Sequence, residues 1–586
     1  MYSPCAREVS EVCFHGCCTT PFHEPQSTPS RTSAAESRYD FELATVSSIH
    51  PNSQFTNHES LPSLEESFFN FTKAFSQYPL TDQADKIRQH EYHHLCSSDS
   101  VSLDYIGHGL FSYSQQETRN PSSLVASTSA SPPPPPPSEA PFFDISCSSA
   151  RLTSQLQYGG PESDLENQTR KRIMAFMNIS EDDYTLVFTA NQSSAFKLVA
   201  DSYPFQSHRN LLTVYDYESE AVNLMIESSK RRGSRVMSAE FLWPSLRIHQ
   251  TKLQKKILSK KKTKRRKRRG LFVFPLQSRI TGNKYAYLWM SMAKENGWHV
   301  LLDASALGSK DMETLGLSIF KPDFLICSFF KVFGDNPSGF GCLFVKKSTC
   351  SILTDSDSIG IVRIVPAMTP TQLSHNSSTK SSDSNEVKQS NFKQKSPQIE
   401  EFNTAKNTEF QFKFKGLDHA DSLGLILISN RARYLINWLV NALMSLQHPH
   451  GQPAIKIYGP KIKFNRGPAV AFNVFDWKGE KISPVLVQKL ADRNNISLSC
   501  GVLLHILIPD RYEELKEEKF EGLNGKKREI KRQECGISVV TGSLGLLTNF
   551  EDVYKVWVFV SRFLDADFVE KERWRYTALN QKTIEV

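Results

Sequence analysis

Nowhere in the 586 residues is there an unbroken apolar run of about 18 residues, the length a membrane helix needs. That absence argues against a helical membrane span. The first residues also lack the basic-then-apolar order of a secretory leader, because Arg7, Glu8 and Glu11 precede any long apolar segment. Paired cysteine spacing is missing as well. Cys5, Cys13, Cys17 and Cys18 crowd the start, but CX7CX3CC, even with His15 beside it, matches no recognised zinc pattern, and Cys327 and Cys342 stand singly among apolar neighbours. No disulfide framework and no metal site are expected, and no internal repeat is visible. These absences predict a soluble, reduced protein of the cytoplasm.

Charge is scarce outside one place. The net charge is +8, yet residues 260–269, KKKTKRRKRR, carry nine positive charges, so the rest of the chain is close to neutral. Such a run suits phosphate contact or a nuclear-import signal, which leaves the nucleus as the alternative compartment. Its plainer reading is a solvated loop held open by like-charge repulsion. No aromatic residue interleaves with the charges to stack on bases, so nucleic acid is not expected as a partner. The 39% hydrophobic and 11% aromatic content is ample for a large core.

Low-complexity tracts punctuate the chain. Residues 1–60 are rich in Ser, Thr, Pro and Glu; 111–142 include Pro132 to Pro137; 367–404 are Ser, Asn and Lys-rich. The stretch 64–93 has helical spacing. From 184 onward, apolar runs alternate with helical segments: YTLVFT with SSAFKLVADSYPF, RNLLTVYDY with ESEAVNLMIESSKRR, GLFVFP with KYAYLWMSMAKENG, then WHVLLD, DFLICSFF and GFGCLFVKK. This order predicts an α/β fold with a largely parallel sheet and helices on both faces. The last third, with a long helical pattern carrying Asn437, Asn441 and Ser445 as a polar stripe, reads as a smaller α+β domain.

Ligands of parallel sheets bind at the carboxyl ends of the strands. Two charged residues stand there: Asp303 ends WHVLLD, and Lys331 follows FLICSFF. A lysine and an aspartate on one rim suit pyridoxal 5'-phosphate, the amine forming a Schiff base and the carboxylate pairing with the ring nitrogen. FTANQSSAFK, a strand turning into a helix, supplies a phosphate cup through Thr189, Ser193 and the free N–H groups of the helix start. Taken alone, Lys331 reads as a surface lysine at a strand end, and Asp303 as a cap for the residues after it. Cys500, between Leu498 and Val502, reads as a small buried residue.

Asp303-Ala304-Ser305, Ser328-Phe329-Phe330-Lys331 and the turn from Pro337 to Gly341 resemble the cofactor segment of cysteine-desulfurase-type enzymes, within the fold-type I pyridoxal-phosphate transferases. LDYIGHGL (103–110), EDDYTLVFTANQSSAFKLV and SLGLLTNFEDVYKV further resemble the N-terminal domain of the eukaryotic molybdenum cofactor sulfurase family, and the likeness covers about residues 100–570. The 586 residues leave no room for the molybdopterin-binding domain that follows in that family.

The resemblance implies an aminotransferase class V homodimer with cysteine as substrate and sulfur transfer as the reaction. It makes Lys331 the Schiff-base lysine, Asp303 the partner of the ring nitrogen, and Ser328, Ser193 and Thr189 the phosphate ligands. It divides the chain into a tail (1–60), an opening segment of the transferase fold (61–110), an insertion (111–145), a large cofactor domain (146–366) with a basic loop (252–269), a second insertion (367–404) and a small C-terminal domain (405–586). Several positions depart from the family. Asn191-Gln192-Ser193 replaces a glycine-alanine-threonine, Ser219 stands where a histidine covers the ring, Ser499 where an arginine grips the substrate carboxylate, and Val502 where a cysteine takes up sulfur. The alternative is therefore a degenerate member that acts through binding partners.

Overall fold

The computed structural model describes residues 34–49, 54–97, 100–104, 106–117, 143–148, 150–160, 162–258, 270–308, 310, 320–333, 338–356, 360–366, 412–508 and 536–582. The N-terminal cysteines, Pro132 to Pro137, the basic run 260–269 and the tract 367–404 lie outside them. The chain divides into two units, Met1–Phe41 and Glu42–Val586; the described residues of the first are the opening of a helix, Ala34–Ser47.

The second unit is built on an eight-stranded sheet. Its strands are β1 (His108–Phe111), β2 (Tyr184–Thr189), β3 (Asn210–Thr213), β4 (Arg235–Ser238), β5 (Gly270–Phe274), β6 (Trp298–Asp303), β7 (Phe324–Val332) and β8 (Gly339–Lys346). Their order is β2-β8-β7-β6-β5-β3-β4, with β1 beside the far end of β7. Every pairing is parallel except those of β8, which runs against both β7 and β2. The run GFGCLFVKK thus returns as a hairpin from β7, the antiparallel member of a largely parallel sheet. Strands β5 and β6 are buried at every residue, as a sheet covered on both faces requires.

Two apolar clusters cover the sheet. One includes Leu302, Cys327, Phe329, Phe340 and Phe143 and receives helix α2 (Asp164–Phe176). The other includes Leu301, Ile326, Leu343 and Val187 and receives α3 (Gln192–Ser202) and α4 (Glu220–Arg231). Because side chains alternate along a strand, these memberships assign each sheet residue to a face.

The C-terminal third forms a second, antiparallel sheet: β9 (Ile455–Tyr458), β10 (Ala469–Val474), β11 (Ser499–Leu503) and β12 (Ile537–Ser543), in the order β9-β10-β12-β11. Helix α5 (Lys415–Met444) breaks at Gly424, whose φ of 72° a side chain would resist. Its polar stripe is not a solvent face. Asn437 is buried, donating to the Arg433 carbonyl at 2.9 Å and accepting from the Lys463 N–H at 2.8 Å, while Asn441 donates to the Thr45 carbonyl at 2.9 Å. Trp438 of α5 packs against Phe550 and Trp557 of α6 (Phe550–Ser561), with centroids 4.6 and 5.6 Å apart. No helix among the described residues is long and apolar enough to cross a membrane.

Helix 64–93 of the sequence pattern is three pieces, Leu64–Ala74, a turn at Tyr78–Thr81 containing Pro79, and Asp82–Glu91. Arg88 ties the last piece to α6. Its guanidinium is buried against Asp552, with Nη2 3.0 Å from Oδ1, and Nη1 also reaches the Leu547 carbonyl at 3.0 Å. Removing one member of a buried pair strands the other, at a cost of about 3–5 kcal/mol. Arg88→Ala is therefore expected to lower the urea midpoint sharply, while Lys86→Ala, one helix position pair away in the exposed pair with Asp82, leaves it unchanged.

Candidate active site

Asp303 is 1% exposed at the end of β6. It caps a turn: the Ser305 N–H donates to Oδ1 at 3.0 Å, and the Ser305 hydroxyl donates to the same oxygen. Tyr215, just beyond β3, donates its hydroxyl to Oδ2 at 2.9 Å. Gln192, the first residue of α3, lays its amide 3.3 Å from both oxygens and 2.5 Å from the Ser305 hydroxyl. Burial pushes the carboxyl pKa up; the hydrogen bonds from Ser305 and Tyr215, with the charge of Arg279, pull it back. Burial and the neighbouring carboxylate push Tyr215 far above its usual range.

The phosphate-loop candidates lie in register beside it. Thr189, Gly341 and Ser328 face each other across β2, β8 and β7. Gly341 is required there, because a Cβ would stand 2.5 Å from Thr189 Oγ1 and 2.7 Å from the Asn191 carbonyl. Thr189 spends its hydroxyl on that carbonyl, at 3.0 Å. Asn191 caps α3 by accepting from the Ser194 N–H at 2.8 Å. Half-buried Ser193 sits in the first helical turn, where N–H groups have no helical partner.

Register and alternation fix the faces. Asp303 pairs with Ile326, and Ser328 lies two residues further on the same side, so Asp303, Ser328, Thr189 and Ser193 share the face of α3. Lys331 falls on the other side, in line with Cys327 and Phe329. Its Nζ stands 3.6 Å from Asp144 Oδ1 and 4.8 Å from the centroid of Phe143. The structure brings four of the five candidate residues together and holds the fifth across the sheet.

The places that depart from the family pattern also meet. The loop of Tyr217 and Ser219 bridges to β11: the Glu218 N–H donates to the Val502 carbonyl at 2.8 Å. Ser499 donates to the Asp104 carbonyl at 3.2 Å. Cys500, expected to be buried, is exposed, because β11 is the edge strand of its sheet and alternate residues face outward. Its thiol lies 3.3 Å from Gln488 Oε1.

Three residues near Asp303 escaped the sequence reading. Tyr215 and Tyr217 put aromatic rings beside the carboxylate, their centroids 5.6 Å apart. Arg279 is the cation whose charge acts on Asp303. Tyr215 lies just past an apolar strand, the same signal that picked out Asp303 and Lys331. Next to them, Asp216 is fully buried, accepting from Ser278 Oγ at 2.6 Å and Thr281 Oγ1 at 2.9 Å.

The fold is that of an aminotransferase class-V protein. The class-V family model matches residues 146–502, and the chain belongs to that family. It is similar to molybdenum cofactor sulfurases: 27% identical to the Homo sapiens protein over 452 residues, covering 71% of this chain and 43% of that one, and 23% identical to the Arabidopsis thaliana protein, covering 70% and 52%. The chain thus spans about half the length of the curated relatives it matches. Among solved structures it is similar to the apo cysteine desulfurase of Thermococcus onnurineus NA1 (17% identity, TM-score 0.42, covering 68% of this chain and 83% of that one) and to the Escherichia coli cysteine desulfurase CsdA (14%, 0.41, 70% and 90%).

Membership of the family implies pyridoxal 5'-phosphate as cofactor. Asp303 suits its ring nitrogen, and the hydroxyls at the start of α3 suit its phosphate. Lys331 does not suit its aldehyde, because in this backbone the amine projects from the opposite face of the sheet. The five residues therefore do not fit the whole group in this conformation.

Burial pushes Asp216 up to about 6 from an ordinary value of 3.8. A carboxyl raised on folding stabilises the fold in its neutral form, so its contribution is full below pH 3.8 and is lost as pH rises through about 6. The loss amounts to about 3 kcal/mol at 1.36 kcal/mol per pKa unit. The urea midpoint of the native chain relative to that of Asp216→Asn is expected to fall between pH 4 and pH 7, a comparison that cancels the opposite trend of buried His108, whose pKa burial lowers from 6.5 to about 4.

Proposed function

We propose that this chain is a pyridoxal-phosphate-dependent transferase of the cysteine desulfurase kind, acting on cysteine as a homodimer inside the cell. The observation that carries the reading is the grouping of Asp303, Ser328, Thr189 and Ser193 on one face of the sheet, at the carboxyl ends of its strands. The similarity to molybdenum cofactor sulfurases supports sulfur transfer. In that reaction the carbon–sulfur bond of cysteine breaks, alanine is released and the sulfur passes to a thiol, which becomes a persulfide.

The chain's own residues have defined tasks in this reading. Asp303, fixed by Tyr215 and Ser305, presents a charge to a ring nitrogen. The start of α3 holds a phosphate. Lys331 is the attachment point that the family resemblance assigns, although in this structure its amine lies beside Phe143 and Asp144, on the face of β7 away from Asp303. Cys500, exposed on β11, is the thiol nearest in sequence to Val502.

The test is spectroscopic and enzymatic. The purified protein is expected to show the visible absorbance of a lysine-bound cofactor, and borohydride to fix the cofactor on the peptide carrying Lys331. Lys331→Ala should abolish both, and Asp303→Asn should slow alanine release from cysteine on the order of 10²-fold, the cost of removing one preorganised charge partner. A native chain that takes up no cofactor, or fixes it on another lysine, overturns the reading.

A further inference from the structure

A cavity of about 70 Å³ opens where the chain leaves the carboxyl ends of β6 and β7. It is lined by Gly107, by Gly308 after β6 and Phe333 after β7, and by Lys284, Arg433 and Arg466. Of the described residues lining it, three are cationic and none is acidic. Concave sites at strand tips, between a large sheet and a second domain, are where ligands of such folds bind.

The two arginines are held without carboxylates. Arg466, 4% exposed, donates to the carbonyls of Pro460 at 2.9 Å, Lys461 at 3.0 Å, Ala469 at 2.5 Å and, more distantly, Gly467 at 3.4 Å. Burial alone brings its pKa down to about 9, so it remains charged at neutral pH. Arg433 uses Nε on the Phe464 carbonyl at 3.1 Å and Nη1 on Asn430 Oδ1 at 2.7 Å, and lies 4.1 Å over the Phe464 ring. Its Nη2 has no partner among the described residues. Neither arginine, nor Lys284, makes an ion pair with a described carboxylate. A buried charge such as that of Arg466 is costly without a counter-charge, and an anion held near it by half-buried Arg433 and exposed Lys284 offsets that cost. A planar guanidinium with a free edge suits an oxyanion in particular.

We propose that this cavity binds a small oxyanion, a phosphate or carboxylate group, with Arg433 and Lys284 as its direct ligands and Arg466 as the fixed positive charge behind them. The volume is several times that of a water site, enough for such a group. The site is separate from the phosphate cup of α3 and does not depend on the reading of Lys331.

Calorimetric titration of the purified chain with inorganic phosphate, and separately with malonate, at constant ionic strength tests it. Saturable binding of one or both probes is expected, and the stronger probe identifies the source of the oxyanion. Arg433→Gln should weaken binding roughly 10- to 100-fold, the loss of a charge-assisted hydrogen bond, and Lys284→Met should weaken it less. A Thr189→Val, Ser193→Ala double variant should leave it unchanged, which separates this cavity from the cofactor's phosphate cup. If Arg433→Gln fails to fold, exposed Lys284→Met decides alone. No saturable binding of either probe, equal affinity in both cation variants, or loss in the double variant overturns the proposal.

Discussion

A two-residue period governs what β7 can do. Ile326 and Ser328 are fixed on the face of α3 by their register against β6 and β8, and Cys327 and Phe329 are locked into the opposite cluster with Phe340 and Phe143. Every further residue inherits its face from that register, so Phe330 turns toward Gly107 and Lys331 toward Phe143. Gly107 accepts the Phe330 ring only because it has no Cβ, which would fall 1.9 Å from that ring. The placement of the lysine is thus set by packing several residues away, and the weak contact with Asp144 at 3.6 Å, whose side chain is largely exposed, adds little to hold it.

The carboxylates of the rim are held differently. Asp303 and Asp216 are sealed from water yet supplied with hydroxyl and amide donors, and each raised pKa records a desolvation cost larger than the hydrogen bonds recover. Tyr215 and Asp216 are consecutive, so one short loop serves both acids: its tyrosine donates to Asp303 while its aspartate organises the Ser278–Thr281 turn. That turn carries Arg279, whose charge acts back on Asp303. Three strand exits are therefore coupled through hydrogen bonds and charge, and a change in any one alters the ionisation of Asp303.

Much of this was legible in the sequence because it rests on local signals. Apolar runs followed by a single charged or hydroxyl residue marked β2, β6 and β7 and their terminal Thr189, Asp303 and Lys331, and periodicity marked α3 and the long helix α5. What periodicity could not give was sense and side. GFGCLFVKK has the composition of any buried strand, and only its short link to β7 makes it antiparallel. Whether Lys331 shares a face with Asp303 depends on counting residues from a register that no single strand encodes. Cys500 misled for the same reason: an apolar neighbourhood in sequence does not reveal an edge strand. Tyr215 was within reach of the rule that found Asp303, since it lies two residues past β3, whereas Arg279, five residues past β5, was not.

The cavity lies beyond any local rule. Lys284, Arg433 and Arg466 come from a turn after β5, from the middle of α5 and from the segment before β10, and nothing in their surroundings marks them as a group. Arg433 and Arg466 converge because α5 packs across the second sheet, and the carbonyls around Arg466 orient its charge without neutralising it. The result is a strand-tip rim with a buried acid pair, Asp303 and Asp216, and a cationic hollow toward the second domain. The rim is therefore polarised by residues that the fold, not the sequence order, makes neighbours.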